Sequence, residues 1–132
     1  MKKIFSLKYI KDNYKLILLI IFSSALRLIN LGYSDYQGDE IKALYLPSKG
    51  QSLIEFLIAQ KKGPIQFLIT YLLKFIDPTY ENQFLMRLPF AIAGILSILF
   101  FYKFIKLHFG EKVAFYSSLF LSSNGLFIAF SR

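Results

Sequence analysis

The chain contains four apolar stretches separated by polar and charged segments. They are Leu16–Leu31, Ile65–Ile76, Leu88–Ile105 and Val113–Ser131. A helix that crosses a membrane needs about 20 mostly apolar residues, with a lower limit near 17. The first stretch reaches this limit once the two residues after it are included, and the third and fourth stretches exceed it. The second stretch is too short to cross, and it predicts a helix that lies in the interface or re-enters the membrane.

The positions of the lysines decide which stretches cross. If all four crossed, the loop with Lys103, Lys106 and Lys112 would lie on the side opposite the lysines that precede Leu16. Short basic loops are normally cytoplasmic, so we predict that only the first, third and fourth stretches cross. The segment from about Gly32 to Arg87 is then outside, and it holds six of the eight acidic residues. The predicted fold is all-α and integral to the membrane, with about three transmembrane helices, a juxtamembrane helical outer loop and a cytoplasmic N-terminus.

The composition supports a membrane protein. Hydrophobic residues make up 55% of the 132 residues, and the mean hydropathy is +0.48. The net charge of +8 would suggest nucleic acid in a soluble protein. Because the lysines cluster at the ends of apolar runs, membrane orientation explains them better, and we expect no nucleic-acid partner. The absence of cysteine excludes a disulfide framework and a thiolate metal site.

A secretory signal peptide is the competing interpretation of the N-terminus. The residues from Ser23 to Ala25 would form an acceptable cleavage site for a signal peptidase. The apolar run continues beyond this site to Leu31, which favours an uncleaved membrane anchor.

Five charged residues are predicted to meet at the outer face. Arg27 lies about one turn from the outer end of the first span, and Asp39 and Glu40 follow just outside the membrane. Arg87 begins the second span, with a proline two residues later in its first turn, and Arg132 ends the third span. Cations beside carboxylates in a half-dry cleft suit an anionic ligand and a proton acceptor.

Each of these residues also has a simpler interpretation. An arginine one turn inside a membrane helix usually extends its side chain to the interface. Asp39 could be only a helix N-cap, and Glu40 a first-turn acid that the helix dipole favours. These alternatives stay open on the residue pattern alone.

Three further features are assigned structural roles. Gly63–Pro64 is predicted to start the short interfacial helix. His108 has no cysteine or histidine companion, which argues against a metal site. Asn124–Gly125 inside the last apolar stretch is interpreted as a packing feature and not as a ligand site.

An ordered set of segments resembles a known family. "ALRLINLGYSDYQGDEIKAL" is similar to the first helix and first outer loop of GT-C membrane glycosyltransferases, in the group that contains protein O-mannosyltransferases and lipid A aminoarabinose transferases. "KKGPIQFLITYLL", "RLPFAIAGILSILFFYKFIKLHFG" and "EKVAFYSSLFLSSNGLFIAFSR" follow in the family's order. The resemblance implies that residues 1–132 are the N-terminal portion of a longer polytopic domain. "KGP" replaces the commoner double proline, and a second acidic residue of the family would be expected beyond Arg132.

The resemblance implies an inverting transfer of a sugar from a polyprenyl-phosphate donor to an acceptor hydroxyl of a protein, lipid or glycan on the outer face. Asp39 matches the catalytic base by position, and Glu40 would orient it or bind the acceptor. Arg27, Arg87 and Arg132 would bind the donor phosphate. No cofactor is expected. A divalent ion could replace part of the positive charge, but a single acidic pair does not support a closed metal site. Residues 1–132 alone are expected to be inactive.

Two other classes of function remain open from the sequence. The chain could be a non-catalytic small membrane protein, such as a degenerate transferase fragment or a subunit that packs on a partner. It could also be part of a transporter that uses its intramembrane arginine to hold an anionic substrate.

Overall fold

The computed structural model describes residues 7–60 and 63–131, with the side chains of these residues except for 7–12 and Asp39. Within these ranges the protein is all-α and contains no strand, as predicted. The described residues form seven helices. They are α1 (Leu7–Leu28), α2 (Asp39–Ala43), α3 (Leu53–Ala59), α4 (Pro64–Leu73), α5 (Gln83–Phe109), α6 (Glu111–Ser123) and α7 (Gly125–Phe130).

Helix α5 is the one described helix that is both long enough and apolar enough to cross a membrane. It has 27 residues, which is about 40 Å at about 1.5 Å per residue. Helix α1 has 22 residues, but charged residues recur along it and its backbone is non-helical at Asn13. One of the three proposed spans therefore forms a helix with the length and composition needed to cross a membrane, and the three crossings stay a prediction.

The start of α5 differs from the prediction. The helix begins at Gln83, four residues before Arg87, because the Asn82 side chain accepts a hydrogen bond from the backbone N–H of Leu85 at 3.0 Å. Pro89 consequently lies inside the helix, beyond its first turn, and the expectation of a first-turn proline is wrong. A proline at this depth has no N–H to donate to the carbonyl four residues earlier, that of Leu85.

The fourth apolar stretch forms two helices instead of one. The backbone of Asn124 is extended, with φ −65° and ψ 119°, and it ends α6. The Asn124 side chain then accepts a hydrogen bond from the N–H of Phe127 at 3.0 Å and caps the start of α7. Asn124 is therefore a helix-breaking cap between a 13-residue helix and a 6-residue helix. The interpretation of Asn124–Gly125 as a packing feature is wrong, since no described atom lies within 4 Å of a Cβ added at Gly125.

The described chain divides into two compact units. The first unit combines the chain up to Asn30 with the chain from Phe90 onwards, and the second comprises Leu31–Pro89. In the first unit, Leu19, Ile98, Tyr102 and Ala114 form the buried core. These residues come from α1, α5 and α6.

The second unit is built around helices α2 to α4. The rings of Phe56 and Phe67 pack edge to face with centroids 5.6 Å apart. The Thr70 hydroxyl donates to the carbonyl of Ala43 at 2.7 Å, which attaches α4 to the end of α2. Gly63, with φ 83°, caps α4, and Pro64 is its first residue, as predicted. Ten residues give α4 a length of about 15 Å, which is too short to cross a membrane.

Candidate functional site

Glu40 and Arg87 form a two-pronged ion pair in the second unit. Arg87 donates from Nε to Oε1 of Glu40 at 2.8 Å and from Nη2 to Oε2 at 2.9 Å. Glu40 reaches this position because α2 begins immediately after Gly38, whose φ of 51° is in the left-handed region. The backbone N–H of Gln37 also donates to Glu40 Oε2 at 3.2 Å. The planar guanidinium matches the carboxylate in both distance and direction.

Arg87 also binds the backbone that precedes Asp39 and Glu40, the two residues that we call the acidic segment. Its Nη1 donates to the carbonyls of Leu31 and Ser34, both at 2.9 Å, and its Nη2 donates to that of Asp35 at 3.3 Å. A guanidinium has five N–H groups, so all of them are occupied when the two bonds to Glu40 are counted. Binding of a donor phosphate by Arg87 remains a prediction, and in this arrangement it would require release of one of these acceptors.

The surroundings of Glu40 determine its protonation. The hydrogen bonds from Arg87 lower the pKa of Glu40, and the N–H of Gln37 acts in the same direction, although partial burial opposes both. Glu40 is therefore held as a carboxylate at neutral pH. A general base works best when its pKa lies near the working pH. Glu40 is thus better suited to hold its neighbours in place than to accept a proton.

Asp39 is the first residue of α2, and its side chain lies outside the described part of the structure. The N-cap of α2 is Gly38, and none of the described side chains caps that end. The interpretation of Asp39 as an N-cap is therefore wrong. Arg132 also lies outside the described residues.

Arg27 is fully buried within the first unit. Its Nε donates to the Ser131 hydroxyl at 2.9 Å, and its Nη1 donates to the Ser23 hydroxyl at 3.0 Å. Nη1 also approaches the carbonyl of Ser122 at 3.5 Å, and the guanidinium lies 5.0 Å from the centroid of the Phe127 ring. Arg27 thus connects α1 to the ends of α6 and α7. Its side chain does not extend out of the unit, which disfavours the simpler interpretation of an arginine that reaches for the interface.

The contacts of Arg27 explain a glycine on α5. A Cβ atom built on Gly94 would lie 2.5 Å from the Cβ of Ser131 and 2.9 Å from Nε of Arg27. Only glycine fits this approach without displacing the two side chains. Three buried polar atoms near this region, Nη2 of Arg27 and the hydroxyls of Ser118 and Ser122, have no hydrogen-bond partner among the described residues.

Sequence reasoning missed the serines around Arg27 and the glycine beside it. Ser23 lies four residues before Arg27, which puts both on the same face of α1, so this pair was recognisable from spacing. Ser131 and Gly94 come from distant parts of the chain, and no local pattern connects them to Arg27.

Of the five predicted site residues, the structure brings together Glu40 and Arg87. Arg27 makes its described contacts in the first unit, and the other two side chains are not described. The single layer of five residues therefore stays a prediction. Among the described residues, no group of three or more histidine, cysteine, aspartate or glutamate side chains could hold a metal ion.

Comparison of this chain with protein-family models, with curated proteins and with solved structures found no match. Function is therefore inferred from the residues described above and from the ordered resemblance of the sequence segments.

Proposed function

We propose that this chain is the N-terminal part of an integral membrane glycosyltransferase that moves a sugar from a polyprenyl-phosphate donor to an acceptor hydroxyl on the outer face. The observation that carries the proposal is the ion pair of Glu40 with Arg87. It fixes the acidic segment against the first turns of α5, the helix that can cross a membrane. The isoprenoid tail keeps the sugar donor in the membrane, and the acceptor is polar, so the two substrates meet at the membrane surface.

The proposed topology has three crossings. The first crossing is α1, the second is α5, and the third is formed by α6 and α7 together. The N-terminus lies in the cytoplasm. The second unit then lies outside. Cysteines introduced at Tyr45 and Thr79 should both react with an impermeant reagent from outside. Reaction at Tyr45 alone would instead support a fourth crossing between these positions.

In the proposed reaction, Asp39 accepts the proton of the acceptor hydroxyl while the hydroxyl oxygen attacks the anomeric carbon of the sugar. The bond from that carbon to the phosphate oxygen breaks, and its electron pair leaves with the polyprenyl phosphate. Glu40 and Arg87 position the backbone that carries Asp39. The negative charge of the leaving phosphate grows in the transition state and needs nearby cations. The family resemblance assigns this role to Arg27, Arg87 and Arg132.

The test measures transfer of a labelled sugar from polyprenyl-phosphate donors, in membranes from cells that express the full-length gene. Asp39→Asn should lower kcat by about 10²–10⁴-fold, the usual contribution of a general base. Because Gly38 provides the cap, this substitution should leave the amount of folded protein unchanged. Asp35→Asn, in the same exposed segment, is the matched control and should retain activity.

The pattern of loss identifies the base. Glu40→Gln should reduce transfer less than Asp39→Asn. Normal turnover by Asp39→Asn together with an inactive Glu40→Gln would move the catalytic role to Glu40. Absence of transfer from every donor, in a protein that inserts normally, would favour the non-catalytic alternative.

A further inference from the structure

The turn between α5 and α6 carries lysines that the proposed reaction does not use. Gly110, with φ 83°, allows α6 to begin one residue after α5 ends. Lys103 and Lys106 near the end of α5 and Lys112 at the start of α6 are exposed there. Lys15 of α1 and Glu111 of α6 complete the cluster. We name these five residues, Lys15, Lys103, Lys106, Glu111 and Lys112, the basic turn.

Glu111 balances only part of this charge. It lies 2.9 Å from Nζ of Lys15 and 3.3 Å from Nζ of Lys106, so one carboxylate is shared by two lysines. These two lysines lower the pKa of Glu111, which keeps it ionised. No described carboxylate pairs with Lys103 or Lys112. The basic turn therefore holds four lysines against one glutamate and keeps a net positive charge.

Large apolar side chains alternate with these lysines and face outward. Phe104 is 58% exposed, Leu107 82%, Phe109 64% and Val113 48%. A basic surface that only keeps a protein soluble or binds nucleic acid does not need exposed apolar side chains. Cations interleaved with exposed aromatic and aliphatic groups are typical of a segment at the boundary between lipid headgroups and acyl chains.

We propose that the basic turn binds the headgroups of anionic phospholipids in the leaflet where α5 ends. The positive charge complements the lipid phosphate, the exposed apolar side chains contact the adjoining acyl chains, and α5 itself is the helix able to cross the membrane. Lys103 and Lys112, which pair with no described carboxylate, provide the charge for the lipid phosphates. The inference rests on the proposed membrane location but is independent of sugar transfer.

The experiment measures which lipids the full chain retains. The protein is reconstituted with equal amounts of phosphatidylglycerol and phosphatidylcholine, extracted in mild detergent, and the two co-purifying lipids are quantified by mass spectrometry. The unchanged protein should enrich phosphatidylglycerol. The double variant Lys103→Gln/Lys112→Gln should lose this enrichment by roughly fivefold per lysine. The matched control is Lys49→Gln/Lys74→Gln, which makes the same change of charge in the second unit and should retain the enrichment.

A second variant changes the enrichment in the opposite direction. Glu111→Gln releases Lys15 and Lys106 from their shared partner, so phosphatidylglycerol enrichment should increase. The ion pairs of Glu111 are solvent-exposed, and such pairs contribute little to folding, so the helices should persist. Circular dichroism of each variant checks this.

Several outcomes would overturn the proposal. They are equal loss of enrichment in the two double variants, no enrichment by the unchanged protein, and displacement of phosphatidylglycerol by an equal concentration of soluble glycerol phosphate. The last result would show that the apolar side chains contribute nothing. Extraction of the protein from membranes by carbonate would refute the proposed membrane location as well, whereas loss of sugar transfer alone would leave the lipid surface intact.

Discussion

Replacement of Arg87 by alanine should cost the second unit more stability than any other single change among its polar residues. The side chain of Arg87 is only 9% exposed, and its five hydrogen bonds hold one carboxylate and three backbone carbonyls. Breaking a buried ion pair costs about 3–5 kcal/mol because the remaining partner is left without compensation. The side chain of Glu40 is 35% exposed and can regain water, so we expect a value near the lower limit, about 3 kcal/mol.

Two further variants separate the contributions. Glu40→Gln keeps the three bonds of Arg87 to the backbone and removes the charge of the acceptor, so it should cost about 1–2 kcal/mol. Gln83→Ala removes an exposed hydrogen bond of 3.0 Å to Asp35, in the same segment of the chain. As a surface change it should cost no more than about 0.5 kcal/mol. Reversible urea unfolding of the full chain in detergent micelles measures all three.

The order of the three values tests the reasoning. If Arg87→Ala cost no more than Gln83→Ala, the hydrogen bonds of Arg87 would not support the fold. If Arg87→Ala and Glu40→Gln cost the same, the bonds to the backbone carbonyls would contribute nothing. The double variant should cost less than the sum of the two single variants, because each single change already removes the ion pair.

Two other predictions concern acid and packing. The pKa of Glu40 in the folded protein lies below its unfolded value of about 4.3, so the stability contributed by Glu40 is complete above that unfolded pKa and is lost as the pH falls through the lower folded pKa. The free energy of unfolding, measured across this pH range, should therefore fall more steeply with acid for the unchanged protein than for Glu40→Gln. Identical slopes would contradict the lowered pKa. Gly94→Ala should destabilise the first unit by about 1–3 kcal/mol in thermal unfolding, because the added Cβ would overlap Ser131. Gly125→Ala is the control and should be neutral, because no described atom lies within 4 Å of its added carbon.

The elements that sequence reasoning located correctly are those with local signals. A glycine with positive φ followed by a proline marks the start of α4, and a long apolar run marks the body of α5. Arg87 and Pro89 predict a later start for α5 than the structure has. The capping side chain of Asn82 is the local signal that marks the observed start.

The candidate site was only partly predictable because its contacts join distant positions. Glu40 and Arg87 are 47 residues apart, and nothing in either local pattern states that they pair. The sequence showed that both are charged residues beside apolar stretches, which was enough to propose proximity. It could not show that the backbone before Glu40 would occupy the remaining donors of Arg87, since that depends on how the chain from Leu31 onwards is folded.

The break at Asn124 also sets which residues face Arg27. In an unbroken helix, the nine residue-to-residue steps from Ser122 to Ser131 would make about two and a half turns and place these two serines on opposite sides. With the break, the carbonyl of Ser122 and the hydroxyl of Ser131 both reach the same guanidinium. Replacing Asn124 with leucine would favour a single helix about 30 Å long, the thickness of the hydrocarbon layer, but would rotate Ser131 away from Arg27. The break therefore replaces an uninterrupted membrane-length helix with two helices whose relative rotation brings two acceptors to a buried arginine.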